Sequence, residues 1–270
     1  MNTNLPATDR DITLFVPALN EARRIEATVR GLLSLIAGLK DATAQILVVD
    51  DGSTDATAEI VRSLASENAS VELVRHPVNR GLGSGLKTAL NHARGRKFLI
   101  VPGDNDMPAS ALRTLIANAG AADMVMCYFH NREQRGRTRN ALSTIFGLIY
   151  ATGFDVYVQY INGPCVYTVE QLRALTLNST RFSIVAEINI KLLRQGVTYL
   201  EIPTHRQVGL DGSRSFSFRN LRETIRVFIH LMNTVYRNDA ARYRHRPLRI
   251  LADFTPHPVR QNGGAGGPLT

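Results

Sequence analysis

Short apolar segments alternate with helix-like segments through the first half of this 270-residue chain. The segments are ITLFVPAL, AQILVVDD, SVELVRHP and KFLIVPGD; the last three end in polar residues or a turn former, and the first is followed by Asn20 and Glu21. Helical patterns separate them, as over 25–36, where apolar residues recur at spacings of three and four. Continuous apolar strands separated by helices predict an α/β fold, in which helices cover both faces of a mostly parallel sheet.

The second half is less regular, and its segments are assigned one by one. The patterns predict an apolar helix over 141–154, a strand in INGPCVYTV, a helix in FSIVAEINIKLLRQ and a strand in VTYLEIPTHR. FRNLRETIRVFIHLMNTVYR, residues 218–237, predicts a long amphipathic helix. C-terminal amphipathic helices therefore follow the sheet-forming half.

These elements predict one domain over residues 1–235. Its nucleotide-binding half is expected at about 10–128 and its acceptor half at about 129–235. Residues 236–270 form a basic tail with a Gly-rich end, which we expect to be partly disordered.

The charge of the chain is unevenly distributed. Residues 1–128 carry 13 Lys/Arg and 14 Asp/Glu, whereas residues 129–270 carry 19 and 9. The positive excess in the second half indicates an anionic partner, such as phosphate groups, nucleic acid or an acidic membrane surface. A merely solvated basic surface is the alternative. No RNA-binding aromatic motif accompanies the charge, so nucleic acid is not expected as a partner.

The lack of a recognisable targeting signal and the pattern of cysteines predict a cytoplasmic protein. The polar N-terminus has no apolar run of signal-peptide length, and no window reaches the roughly 18 apolar residues of a spanning helix. Cys127 and Cys165 occur without a CxxC spacing or a neighbouring His cluster. We expect both to be reduced structural thiols.

Three candidate motifs lie at the carboxyl ends of predicted strands, at 17–21, 50–53 and 104–106. In open parallel sheets, ligands bind beyond the carboxyl ends of the strands, so these residues are expected to share one site. The alternative for the first two is local capping. Asn20 and Glu21 would then begin one helix, and Ser53 or Thr54 would cap the next.

Asp104 and Asp106 flank a single residue shortly after the apolar run FLIV, from which Pro102 and Gly103 separate them. A turn before a helix explains this pattern in part. However, two neighbouring carboxylates repel each other unless a cation or a proton neutralises them. Mg²⁺ is commonly held by one or two carboxylates together with substrate phosphates. The pair is therefore a candidate Mg²⁺ or Mn²⁺ site that a nucleotide diphosphate would complete.

The Gly-rich segment NRGLGSGLKTAL, residues 79–90, fits neither the Walker nor the Rossmann glycine spacing. We interpret it mainly as the entry to a helix. A phosphohydrolase with a nucleophilic DxD aspartate is also excluded, because that motif would follow the first strand.

Taken together, these segments resemble the family 2 glycosyltransferases of GT-A fold, most closely the dolichyl- or polyprenyl-phosphate mannose synthases and their glucosyl relatives. The resemblance covers about 10–235. It is carried by VPALNEA, ILVVDDGSTDAT, NRGLGSGLKTAL, FLIVPGDNDMP, FSIVAEINIKLLRQGVTYLEIP and DGSR. It implies a Rossmann-like sheet and metal-dependent inverting transfer of a hexose from a GDP- or UDP-linked sugar.

The resemblance also assigns roles to residues, each at the position that matches the family. The base and ribose would be held by Pro17, Leu19, Glu21, Val49 and Asp51. Asp104 and Asp106 would bind the metal and, with Asn105, the diphosphate. Arg214 stands where the family usually has a Lys near the phosphates, and it would act with the two aspartates in catalysis.

The chain departs from the family at several positions. Leu19 replaces an aromatic residue, Pro108 lies near a usual Gln ligand, and Phe129 replaces an Arg. The family's Asp before the second-half strand is absent, since the chain reads QYINGP there. The predicted acceptor-binding residues are Arg132, Arg135, Arg137, Arg139 and Glu187. For Glu187, a structural role is the alternative.

A lipid phosphate acceptor agrees best with these features. It is already ionised near pH 7 and needs no strong general base, whereas a hydroxyl acceptor would need one. The helices at 141–154 and 218–237 are candidates for a membrane interface, although a helix that covers the sheet has the same pattern. We expect a peripheral protein on the inner face of the membrane. The alternatives are a glycosyltransferase of cell-surface polysaccharide synthesis and a non-catalytic membrane-binding protein.

Overall fold

The computed structural model describes residues 11–38, 43–103, 107–129, 137–204 and 218–251. Within these ranges eight strands form one sheet in the order β3-β2-β1-β4-β6-β5-β7-β8. The strands are β1 Ile12–Ala18, β2 Ala44–Asp50, β3 Val71–Arg75, β4 Lys97–Ile100, β5 Met124–Phe129, β6 Cys165–Thr168, β7 Thr198–Thr204 and β8 Leu248–Ile250. Only the pairings of β6 with β4 and β5 are antiparallel. The predicted α/β fold with a mostly parallel sheet is confirmed.

Helices cover both faces of this sheet. They are α1 Ile25–Ala37, α2 Thr57–Glu67, α3 Leu82–His92, α4 Ala109–Ala117, α5 Arg137–Phe154, α6 Val169–Arg173, α7 Ser183–Arg194 and α8 Phe218–Asn233. A π-helical turn, Thr234–Asn238, continues α8. In the described part of the chain, no helix is both long and apolar enough to cross a membrane.

The apolar strands are buried on both sides because their side chains alternate between two cores. Leu14 and Val16 of β1 face the core under α1, α2 and α4. Phe15 between them faces the core that includes residues of α3, α5, α7 and α8, where it packs against Phe98 of β4 with ring centroids 5.8 Å apart. The continuous apolar runs in the sequence reflect this two-sided burial.

The last strand of the sheet, β8, follows residue 235, which the sequence predicted as the end of the domain. Strand β8 pairs in parallel with β7, with Thr198 opposite Leu248 and Leu200 opposite Ile250. A three-residue edge strand is too short to give a recognisable period, which is why the sequence pattern missed it. Residues 252–270 of the predicted tail lie outside the described residues.

The two cysteines are free and buried, as the sequence predicted for structural thiols. Burial raises the pKa of the Cys127 thiol to about 11. The pKa of Cys165 is also raised well above its usual value, again mainly by burial. Both therefore remain protonated at neutral pH.

Candidate active site

The carboxyl ends of β1, β2 and β4 lie side by side, as the strand-end pattern predicted. Ala18 is in register with Asp50, and the Asp51 N–H donates to Ala18 O over 2.8 Å. On the other side of β1, the Val101 N–H donates to Phe15 O over 2.8 Å. The segments after these three strands therefore begin at one edge of the sheet.

The loop after β1 is held by the segment after β2. Ser53 Oγ accepts a hydrogen bond from the Asn20 N–H, and Thr57 Oγ1 accepts one from the Glu21 N–H, each over 2.9 Å. Asp55 Oδ2 accepts from the next N–H in the loop over 3.1 Å. Asn20 adopts a positive φ of 56°, a conformation that Asn tolerates better than most residues. These bonds fix the loop that follows Pro17.

The predicted helix caps are wrong. Helix α2 is preceded by Ala56, and Ser53 and Thr54 lie outside its first turn. Helix α1 is preceded by Arg24, and Asn20 instead accepts a hydrogen bond from the Thr54 N–H over 2.9 Å. Instead of capping their own helices, these hydroxyl and amide groups form hydrogen bonds with the neighbouring loop, which belongs to a distant part of the chain.

Asp51 connects the end of β2 to the start of α3. Its Oδ1 accepts from the Arg80 N–H over 2.9 Å and lies 2.7 Å from His76 Nδ1, while its Oδ2 accepts from the Gly81 N–H over 2.7 Å. On the other side of the ring, His76 Nε2 lies 2.9 Å from Thr88 Oγ1. A carboxylate offers about four acceptor positions, so these three contacts leave one for a ligand donor.

The neighbouring Asp50 is fully buried and stabilises the same turn. Its Oδ1 accepts from the Ser53 N–H over 3.0 Å, and its Oδ2 lies 3.0 Å from Arg75 Nε. Arg75 also donates to the Ser53 carbonyl over 3.0 Å. Asp50 therefore stabilises the turn from the buried side, and Asp51 is the residue of the pair that lies closer to the surface.

The Gly-rich segment is a helix entry, as predicted, and the structure explains two of its glycines. Gly81 has a φ of 89°, and a Cβ on it would collide with the Thr180 carbonyl. The Gly83 N–H donates to that same carbonyl over 2.9 Å, and a Cβ on Gly83 would lie 2.6 Å from Ser179 O. The start of α3 thus packs directly against residues 179–181.

Two buried carboxylates hold the 178–181 loop in place. Glu187 accepts from the Asn178 and Ser179 N–H groups over 2.9 and 2.8 Å, and it lies 2.7 Å from Lys191 Nζ. Its side chain is completely buried, which favours the structural one of its two predicted roles.

Glu223 of α8 is the second carboxylate. It accepts from the Ser179 hydroxyl over 3.1 Å and from the Thr180 and Arg181 N–H groups over 3.2 and 3.0 Å. No local pattern in the sequence indicated this role, since its partners lie more than 40 positions away.

The other residues predicted to hold the base and ribose divide by exposure. Pro17 and Glu21 are partly buried and Leu19 is 39% exposed at the strand edge. Val49 is almost completely buried and lies in contact range of Gly85, so its side chain packs in the core beneath this edge.

Several predicted site residues lie outside the described residues, namely Asp104, Asn105, Asp106, Arg132, Arg135 and Arg214. Arg137 and Arg139 lie in the first turn of α5. The segment that enters the DxD is described. Gly103 O accepts from Thr28 Oγ1 over 3.0 Å, and a Cβ on Gly103 would lie 2.6 Å from Pro17 O. The chain therefore enters the DxD beside the loop after β1.

Helices α5 and α8 together expose an aliphatic surface, here called the apolar stripe. The helices pack through Phe228, whose ring centroid lies 5.2 Å from that of Tyr150 and 5.3 Å from that of Phe154. On their outer sides, large aliphatic residues recur at helical spacing, each at least half exposed. They are Ile145, Leu148 and Ile149 of α5 and Ile225 and Ile229 of α8.

Comparison with known proteins agrees with this architecture. Residues 13–175 match the model of the family described as glycosyl transferase family 2. A dolichyl-phosphate beta-glucosyltransferase of Trichomonas vaginalis, ALG5A, is 27% identical over 218 residues, which cover 75% of this chain and 67% of the relative. Two further beta-glucosyltransferases of that organism align over 28% and 45% of their lengths, so the chain spans less than half of either.

A mannosyltransferase and one solved structure extend the comparison. The dolichol-phosphate mannosyltransferase of Mycosarcoma maydis is 30% identical over 107 residues, covering 38% of this chain and 36% of the relative. Glucosyl-3-phosphoglycerate synthase from Mycobacterium tuberculosis, solved with Mn²⁺, UDP-glucose and phosphoglyceric acid, superposes with a TM-score of 0.60 at 18% identity. The superposition covers 83% of this chain and 79% of that chain, and it shows a common fold.

Proposed function

The chain belongs to glycosyl transferase family 2, and from this membership we propose that it transfers mannose or glucose from a nucleoside diphosphate sugar to a polyprenyl or dolichyl phosphate, with inversion at the anomeric carbon. It is a hexosyltransferase of GT-A fold. The lipid acceptor rests chiefly on one observation, the apolar stripe of α5 and α8. Its outward aliphatic residues offer a surface for a lipid chain or a bilayer.

The donor side of the proposal uses the edge formed by β1, β2 and β4. Leu19 is exposed there for contact with the base, and Asp51 retains an acceptor position for a ribose hydroxyl or a base N–H. The described backbone brings the residues before Asp104 against Pro17 O. A sugar diphosphate bound at this edge would therefore lie near the DxD.

The carboxylates of Asp104 and Asp106 suit a hard divalent cation, because Mg²⁺ and Mn²⁺ prefer oxygen ligands. A bound cation supplies positive charge for the leaving diphosphate. Asn105 would donate to a phosphate oxygen, and Arg214 would hold the diphosphate through its guanidinium group.

On the acceptor side, a lipid phosphate needs no strong base, because it is ionised near neutral pH. Glu187 is sequestered beside Lys191, which agrees with an acceptor that needs no proton removed. The lipid phosphate would be bound by Arg132, Arg135, Arg137 and Arg139. The enzyme would work peripherally on the cytoplasmic face of a membrane.

The test is a panel of GDP- and UDP-linked hexoses with Mn²⁺, assayed with polyprenyl phosphate in detergent micelles and, separately, with saccharide acceptors. We expect labelled hexose in the lipid fraction from one donor class. Transfer to saccharides alone would replace the lipid acceptor by a hydroxyl acceptor. Donor binding without any transfer would favour the non-catalytic alternative.

A further inference from the structure

Three arginines surround an open cavity of about 680 Å³ beside α8 that the proposed reaction does not use. Its lining comprises Thr180, Arg181, Arg222, Glu223, Ile225, Arg226 and Ile229. We propose that this cavity binds the phosphate headgroup of an anionic membrane phospholipid, apart from the acceptor site, and thereby anchors the enzyme to the bilayer. The inference rests on the proposed function in one respect, which is that α8 faces a membrane.

The cavity carries an excess of positive charge. None of the guanidinium groups of Arg181, Arg222 and Arg226 forms an ion pair or a hydrogen bond with another side chain among the residues that the structure describes. Glu223, the one carboxylate among the described lining residues, is almost completely buried and accepts from the Thr180 and Arg181 N–H groups. An anion would therefore meet three guanidinium groups that no described side chain pairs, and guanidinium binds phosphate with particular strength.

The remaining lining indicates that the anion carries a hydrocarbon chain. Ile225 and Ile229 lie one turn apart and are each more than half exposed. Arg222 and Arg226 have the same spacing on the same helix, so charged and aliphatic groups border one opening. Free phosphate would leave the isoleucines in water. None of the described lining residues is aromatic, so this part of the cavity offers no ring to stack on a base and fits nucleic acid less well.

The surroundings of the cavity favour a lipid in a bilayer. The isoleucines belong to the apolar stripe, whose other members, Ile145, Leu148 and Ile149, are exposed on α5, the helix that packs on α8 through Phe228. With the stripe in the hydrocarbon boundary, the arginines would lie at the level of the lipid phosphates, where long basic side chains reach the headgroups. A phospholipid headgroup is therefore the ligand that matches both halves of the lining.

The experiment measures co-sedimentation of the full chain with phosphatidylcholine vesicles, with and without phosphatidylglycerol. We compare wild type with the R222Q/R226Q double variant. The control, R62Q/R113Q, removes the same charge from exposed positions of α2 and α4, which pack on the opposite face of the sheet. Glutamine is a good helix former, so the exposed helices should remain folded, and circular dichroism checks this.

We expect wild type to prefer phosphatidylglycerol vesicles. Each arginine near an anionic surface contributes about fivefold to binding, so R222Q/R226Q should lower the partition coefficient roughly 25-fold while R62Q/R113Q changes it little. I225S/I229S should weaken binding to vesicles with and without phosphatidylglycerol. The proposed site would be wrong if R222Q/R226Q bound phosphatidylglycerol vesicles as well as wild type does. It would also be wrong if R62Q/R113Q lost as much binding as R222Q/R226Q.

A third set of vesicles, phosphatidylcholine with polyprenyl phosphate, separates the two lipid phosphates. If R222Q/R226Q loses binding to these vesicles alone, the cavity is an acceptor site and the anchoring proposal is wrong. The proposed reaction is tested independently by wild-type transfer in detergent micelles, where no bilayer is present. Failure of that transfer would overturn the reaction whatever the vesicles show.

Discussion

The imidazole of His76 lies beside the carboxylate of Asp51, with 2.7 Å between Nδ1 and Oδ1, and both side chains are largely buried. The backbone N–H of His76 also donates to the Asp50 carbonyl over 2.8 Å. His76 therefore fixes the carboxylate that in turn holds the Arg80 and Gly81 N–H groups. This contact makes His76 a candidate positioning residue for the proposed donor site.

We expect His76→Ala to weaken binding of the nucleotide sugar, because Asp51 would lose one of the groups that orient it. A hydrogen bond to a charged group contributes about 1.5–3 kcal/mol, so the KM for donor should rise by about tenfold or more. The kcat should change less, and His76→Gln should restore part of the KM.

Thr88→Val is the matched control for His76→Ala, since it removes only the contact to Nε2. Steady-state kinetics with varied donor distinguish the roles. A His76→Ala enzyme that is less stable but has an unchanged KM would show that His76 is merely structural.

The buried pair Glu187–Lys191 gives a second prediction, on stability. Removing one partner leaves an uncompensated charge in the interior, at a cost of about 3–5 kcal/mol. We expect Lys191→Met alone to lower the free energy of unfolding by that amount, measured by urea denaturation. Glu187→Gln combined with Lys191→Met should lower the free energy of unfolding by less than Lys191→Met alone does. A larger loss in the double variant would contradict the pairing.

Asp123 gives a third prediction, on the pH dependence of stability. Burial alone would raise the pKa of its carboxyl, but hydrogen bonds from the Thr198 hydroxyl and N–H and from Gln171 outweigh burial and lower it. The unfolded chain then binds the proton more tightly. The stabilisation is therefore present above the unfolded pKa of about 3.9 and is lost as pH falls through the lower folded pKa.

We expect the unfolding free energies of wild type and Asp123→Asn to differ at neutral pH and to converge below about pH 4. Thr198→Val removes a donor to the same carboxylate and should show the same convergence. Urea denaturation across this range gives the comparison. Curves that stay parallel down to low pH would exclude this role for Asp123.

The cysteines give a fourth prediction, on thiol reactivity. The thiolate is the reactive form, and burial keeps the pKa of Cys127 at about 11. We expect neither Cys127 nor Cys165 to react with a thiol reagent at neutral pH until urea unfolds the chain. A Cys127→Ser variant assigns the remaining signal to Cys165. Rapid labelling of the native protein would contradict the burial of the labelled residue.

The sequence predicted the sheet and the edge at which the carboxyl ends of β1, β2 and β4 meet, because both follow from local patterns. Continuous apolar runs marked the buried strands, and polar residues marked their carboxyl ends. His76, which directly follows β3, obeys the same strand-end rule and could have been found by it.

What the sequence did not predict depends on partners that are distant in the chain. Ser53 resembled a local capping group, but its hydroxyl binds the Asn20 N–H 33 positions away. The Thr57 hydroxyl binds the Glu21 N–H 36 positions away. Glu223 likewise holds a loop more than 40 positions from itself. A single sequence shows that such side chains can form hydrogen bonds but does not show with which group.

The proposed reaction is metal-dependent hexosyl transfer that requires Asp104 and Asp106. The most direct measurement is the transfer rate from the preferred donor to polyprenyl phosphate, with Mn²⁺ or with EDTA. It compares wild type, Asp104→Ala/Asp106→Ala, and Glu59→Gln as an exposed acidic control on α2. We predict that EDTA abolishes wild-type transfer and that the double variant transfers hexose about a thousandfold more slowly than wild type. The reason is that a catalytic cation stabilises the transition state by several kcal/mol. Transfer by the double variant at the wild-type rate would contradict the account.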